Sequence, residues 1–194
     1  MQINRNSVDM KKKFLLFIVM FLLAIPTFSN TTQAATDPCD WRIAGSETRE
    51  FAHRYAKVSA NTPTLKRALK KAVKPWNRIF KFKIYNANFN AIKRHTITIV
   101  DVDMDDYFLN EPATQAFTRD INGFICIYID TKRVQSNPDQ SLTQVITHEL
   151  AHAIGLGHDC TNKHDIMYKK NSLSWHQHIT PAVRRHVNKL YKGR

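Results

Sequence analysis

His148-Glu149-Leu150-Ala151-His152-Ala153-Ile154-Gly155-Leu156-Gly157-His158-Asp159 is one unbroken run. Residues four apart on a helix share a face, so His148 and His152 can point at one metal ion. Glu149 stands beside that face, within reach of a water activated by the same metal, and is a candidate general base. Gly155 suits the left-handed turn at a helix C-terminus, and the reversal after it lets His158 bring a third nitrogen. Three protein ligands leave a fourth tetrahedral position open, which marks a catalytic zinc site and not a closed structural one. A bare pair of histidines around a glutamate arises by accident in ordinary helices. A glycine and a third histidine in register make accident a poor account.

The helix carrying the motif is expected to begin at Asn137-Pro138-Asp139: a cap, a proline at the first position and an acid near the positive end of the dipole. Leu142, Val145, Ile146, Leu150, Ala153 and Ile154 form its apolar stripe, with His148 and His152 on the edge of that stripe, facing a cleft. Downstream, Thr180-Pro181 opens a last helix whose Val183, Val187, Leu190 and Tyr191 face inward. Upstream, Thr62 caps a helix with Pro63 at its first position, and Leu65, Leu69, Val73, Trp76 and Phe80 recur at helical spacing until Pro75 kinks or ends it. Strands are expected at Phe51–Val58, Phe80–Tyr85, His95–Val102, Thr114–Thr118 and Phe124–Ile129, with Asn122-Gly123 turning between the last two. About five strands in a mixed, twisted sheet and three main helices predict an α/β or α+β domain.

The chain has 194 residues, 43% of them apolar and 23% charged, which suits one compact domain. Lys11-Lys12-Lys13, the apolar run Phe14–Ile25, Pro26 and Gln33-Ala34-Ala35 follow the plan of a secretory signal peptide. Residues 1–35 are therefore expected to be a signal and 36–194 the functional domain. Cleavage is expected after Ala34 or Ala35, with Ser29 as an alternative. An uncleaved anchor is disfavoured because the apolar run is too short to span a bilayer. Translation can start at Met1 or at Met10. The expectation is a secreted monomer, extracellular or wall-associated, with no stable membrane insertion after cleavage.

Formal charge is +13, and +10 remains once Arg5, Lys11, Lys12, Lys13 and Asp9 are removed. Such a protein is attracted to anionic partners such as cell-wall polymers, acidic lipids or acidic substrates. No nucleic-acid motif is present, and none is expected as partner. Lys66, Arg67, Lys70, Lys71, Lys74 and Arg78 line one helix face, read first as a solvated surface and second as a docking patch. Cys39, Cys126 and Cys160 suit one disulfide and one thiol after export. Cys39–Cys160 is favoured because Cys126 sits in an apolar strand. A latency role for Cys39 on the metal is disfavoured, since Pro38-Cys39-Asp40 lacks the flanking Arg and Gly. Asp101, Asp103, Asp105 and Asp106 read as a solvated, partly capping loop. Calcium, which takes carboxylate oxygens, stays open there, though Pro112 stands where the closing Glu of an EF-hand belongs.

The motif, with Asp165-Ile166-Met167-Tyr168 a short distance after His158, resembles the metzincin zinc peptidases, and Met167-Tyr168 resembles the methionine turn of the matrixins. Two departures are Lys169, where matrixins usually have proline, and Asp159, which is more like the adamalysin branch and bacterial matrixin-like enzymes. The resemblance spans about Phe51 to Tyr191, strongly at the motif and by pattern elsewhere. It implies the zincin-like metzincin fold and zinc on His148, His152 and His158. It makes Glu149 the base, Met167 the floor of the site, and Gly155, Asp159 and Tyr168 structural. It implies that Thr114–Thr118 is an antiparallel edge strand pairing with an extended peptide. It implies that Leu173–Ile179, with Trp175, shapes the pocket after the scissile bond, His176 and His178 being exposed loop residues. The function implied is a secreted zinc-dependent endopeptidase acting on peptide or protein substrates. The alternatives are a peptidoglycan cross-bridge amide hydrolase and a non-catalytic wall-binding protein that retains the fold. Glu149 weighs against the last, which has no need of a base.

Overall fold

Five short runs rich in β-branched residues pair side by side in the computed structural model, which describes residues 51, 54–86, 96–106, 114–121 and 124–192. They are β1 (Tyr55–Ala60), β2 (Lys81–Ile84), β3 (Thr96–Asp101), β4 (Ala116–Ile121) and β5 (Phe124–Ile129). Among the described residues four helices accompany them: α1 (Pro63–Ala72), α2 (Thr131–Ser136), α3 (Leu142–Ala153) and α4 (Pro181–Leu190). The sheet order is β2-β1-β3-β5-β4, parallel throughout except that β4 runs antiparallel to β5. A mixed sheet of five strands with helices is the architecture expected. The signal segment 1–35, Cys39, Pro112 and the Asn122-Gly123 turn lie outside the described residues.

Alternation along the strands turns Val58, Ile97, Ile99, Ile125, Ile127 and Ile129 to one face, where all are buried. That face receives α1 over β1 and α3 over β4 and β5, with the two helices against each other. Leu65 and Leu69 of α1 and Ile146 and Leu150 of α3 fill the space between. Trp76 closes the α1 side and donates from Nε1 to the Thr147 carbonyl at 3.2 Å, tying the two helices together. Thr62 caps α1 by accepting from Leu65 N, and Pro75 falls in a 3-10 turn after the helix has ended.

Several boundaries differ from expectation. β1 begins at Tyr55 and not at Phe51, because Arg54 takes a left-handed conformation (φ 53°) that breaks the extended run. Its guanidinium bonds the Asn188 side chain on α4 at 2.6 Å. β4 begins two residues later than expected, at Ala116, and runs to Ile121, three residues past Thr118. The helix that carries His148 and His152 starts at Leu142 after Ser141, not at Asn137. Asn137 ends the short helix α2, which Asp130 caps through Arg133 N. Asp139 instead spends its carboxylate on Ser172 Oγ (2.5 Å) and Ser174 N (3.1 Å), and these bonds hold its pKa below the usual carboxylate value.

The acidic run after β3 is engaged by protein donors. Asp101 accepts from Thr131 N and Oγ1, Asp103 from Asp105 N, and Asp105 pairs with Arg133. This is the capping role, and among the described residues no cluster of carboxylates there is arranged to hold calcium. Cys160 is disulfide-bonded, while Cys126 is a half-buried free thiol whose pKa burial pushes up. Among the described residues no helix is long and apolar enough to cross a membrane.

Candidate active site

α3 is buried almost all round, so His148, Glu149 and His152 lie inside the protein and not on the rim of an open stripe. After Ala153 the helix unwinds. Gly155 takes φ 96°, a value that would press a Cβ against the backbone, and Leu156 N reaches back to Ala151 O at 3.0 Å. The chain then reverses, and His158 comes back over the helix. Its Nε2 lies 3.2 Å from His152 Nε2, which lies 2.9 Å from His148 Nε2.

The other ring nitrogens explain how two of these rings are held. His148 Nδ1 donates to the Ile166 carbonyl at 2.6 Å and His152 Nδ1 to the Leu156 carbonyl at 2.7 Å. A carbonyl only accepts, so each Nδ1 carries the proton and each Nε2 keeps a lone pair. Burial, with His152 close by, drops the His148 pKa to about 3, so this ring is neutral at any ordinary pH. His148 Nε2 and His152 Nε2 thus face each other with His158 Nε2 beside them, a grouping that a cation seated among them would satisfy. Tetrahedral zinc with Zn–N of about 2.0–2.1 Å would set nitrogens about 3.3–3.4 Å apart, near the spacing present. The residues therefore fit zinc, and they are the group among the described residues able to hold a metal.

Glu149 is buried at 5% exposure, and burial raises its pKa, opposed by His148 and by a hydrogen bond from Thr118. Thr118 Oγ1 donates to Glu149 Oε2 at 2.6 Å from the edge strand β4. Sequence reasoning missed this residue. The signal available was a hydroxyl at the core-facing position of a strand, where an aliphatic side chain is ordinary.

Met167, the residue the resemblance implied as the floor of the site, is fully buried. Its turn holds the site through backbone groups. The Ile166 carbonyl receives the His148 ring, and the Met167 carbonyl receives Asp159 N at 2.7 Å. Asp159 is buried, with Oδ1 taken by Thr161 N and Oγ1, so it shapes the loop after His158. Asp165, a second residue missed from sequence, is fully buried and accepts from Met167 N at 2.7 Å and from Thr180 Oγ1. Tyr168 packs edge-on against Trp175 at 5.4 Å. Trp175 is half-buried and His176 and His178 are exposed, in keeping with a loop. Leu173 is the exposed large hydrophobic side chain of that loop, at 42%.

Residues 112–189 match the sequence model of the leishmanolysin peptidases, which are metzincin-type zinc metallopeptidases. The matched segment contains the three histidines, Glu149 and Met167 and covers β4 through most of α4. This likeness supports a zinc metallopeptidase and a peptide or protein substrate. It is to the leishmanolysin family and does not support the matrixin subtype. No curated protein matches the chain.

Proposed function

We propose that the chain is a zinc-dependent endopeptidase in which His148, His152 and His158 hold the metal and Glu149 is the general base and acid. The convergence of three histidine Nε2 atoms beside a buried carboxylate carries this reading. Zinc bound there supplies Lewis acidity, which polarises a scissile carbonyl and makes a water acidic. Glu149, turned toward the histidine side of the helix and shielded from solvent, takes the proton from the attacking water. It then delivers it to the leaving amine. β4 ends the sheet, and its outer edge offers backbone N–H and C=O groups to an extended peptide. The exposed Leu173 and half-buried Trp175 suit an apolar side chain after the cut. The matrixin-like subtype rests on Met167-Tyr168 alone.

A signal peptide over residues 1–35 would carry this enzyme out of the cell, where the mature domain acts as a monomer. The second reading, an amide hydrolase or binding protein of an anionic wall, is favoured by one observation. From Phe51 to Val100 there is no Asp or Glu and there are twelve Lys or Arg. Lys66, Arg67, Lys70, Lys71 and Lys74 are all exposed on and just after α1.

The test is cleavage of a mixed fluorogenic peptide library by the zinc-loaded protein beside Glu149→Ala. Wild type is expected to cut, and the variant to lose about 10²–10⁴-fold in rate with zinc retained. Substantial residual turnover in the variant would sink the role given to Glu149. Silence from both on peptides, with release of fragments from isolated walls by wild type, would favour the second reading.

A further inference from the structure

Thr118 joins two jobs at one residue of β4. The register places Thr118 opposite Ile127, and Ile127 is fully buried on the helix-facing side of the sheet. The Thr118 side chain therefore points toward α3, where its hydroxyl reaches Glu149 Oε2 at 2.6 Å and Glu149 O at 3.2 Å. The backbone of the same residue points the other way. Asp130 N donates to Gln115 O, one step before the Ala116–Ile129 pair, so Gln115 and Asp130 face each other as a hydrogen-bonded pair. In an antiparallel ladder such pairs alternate with pairs that share no hydrogen bond. Residues 117, 119 and 121 thus bond to β5, while Ala116, Thr118 and Asp120 direct N–H and C=O to the outer edge. Among the described residues no strand lies beyond that edge.

We infer that Thr118 is a positioning residue that links peptide docking on β4 to the aim of the base; this rests on Glu149 being that base. Pinning Oε2 leaves Oε1 as the proton acceptor and removes the rotation that would exchange the two oxygens. Valine has the same shape and would fill the same space, so packing alone does not call for the hydroxyl. A peptide paired along the edge fixes the backbone of Thr118, and through one side chain fixes the carboxylate that must face the scissile bond.

Thr118→Val removes the donor and keeps the volume, Thr118→Ser keeps the donor, and Thr118→Ala serves should valine distort the strand. Zinc content, peptide cleavage and calorimetric binding of acetohydroxamate are measured for each, with Glu149→Gln as control. The hydroxamate donates its hydroxyl to the base, so its affinity reports carboxylate aim without turnover. For Thr118→Val the expectation is normal zinc and a fall in kcat of about tenfold or more with KM little changed. Acetohydroxamate should bind severalfold more weakly, and Thr118→Ser should recover most of both. Wild-type kcat and hydroxamate affinity in Thr118→Val, with Glu149→Gln impaired, would overturn the inference alone. Unimpaired Glu149→Gln would overturn the reading of Glu149 as base, and this inference with it.

Discussion

Asp165→Ala and Asp165→Asn separate the charge of a buried carboxylate from its hydrogen bonds. Asp165 is fully buried and holds Met167 N with one oxygen and Thr180 Oγ1 with the other. Thr180 Oγ1 cannot turn to another task, because it already accepts from Ala182 N and Val183 N at the start of α4. Alanine orphans two buried donors at about 1–3 kcal/mol each, so a loss of about 2–5 kcal/mol is expected. Asparagine keeps an oxygen for Met167 N and relieves the buried charge. That charge carries a real penalty, since burial raises the Asp165 pKa despite both bonds. Asparagine should therefore cost under about 2 kcal/mol. The second readout is zinc. Ile166, between Asp165 and Met167, supplies the carbonyl that orients His148. Loosening that turn should weaken zinc about 10–100-fold in Asp165→Ala, although no ligand is altered. Urea unfolding of the metal-free proteins and competitive zinc titration measure the two effects. Equal destabilisation by both substitutions, or unchanged zinc affinity in Asp165→Ala, would refute the account.

Acid should weaken the metal-free protein through His148. Folded, its pKa is about 3, whereas an unfolded imidazole protonates near 6.5. Between those values the unfolded chain binds the extra proton. The His148 contribution is therefore complete above about pH 6.5 and is lost as the pH falls toward 3. Glu149 and Asp165, raised by burial, act in the opposite sense at the acid end, so the comparison is with His148→Gln. Urea midpoints from pH 7 to 4 should fall more steeply for wild type, and parallel profiles would contradict the assignment. Tyr191→Phe removes the hydroxyl that bonds the Ile154 carbonyl at 2.8 Å just past the end of α3. The loss should be about 1–3 kcal/mol by thermal or chemical unfolding, and a change below about 0.5 kcal/mol would contradict a structural role for that bond.

The grouping of His148, His152 and His158, the turn at Gly155 and the caps at Thr62 and Thr180 were legible because each is local. Spacing on a helix, a positive φ and a side chain bonding a nearby N–H need no knowledge of the rest of the chain. What failed to show were residues whose partners lie far away. Asn137-Pro138-Asp139 carries a helix-start signature, yet Asn137 turns the chain through Asp139 N, and Asp139 reaches across to Ser172 and Ser174. Asp165 reads as a turn residue, and its burial follows only from Thr180 meeting it on α4. Thr118 looks like any strand threonine until β4 is laid beside α3. Arg54 hides its left-handed backbone in the same way, its guanidinium meeting Asn188 across the fold.

Consecutive carbonyls of the turn at Ile166-Met167 hold the ring of the first ligand and the loop after the third, which bears on the order of events during synthesis. All three histidines leave the ribosome before the carbonyl that aims His148 and the one that anchors the loop after His158. A nascent chain that has just exposed His158 thus has every proposed ligand but not the completed turn. If the three histidines hold zinc as proposed, tight capture waits until Ile166 and Met167 have folded back onto the motif. Cleavage of the chain between Asp159 and Met167 would likewise release the metal while sparing every ligand.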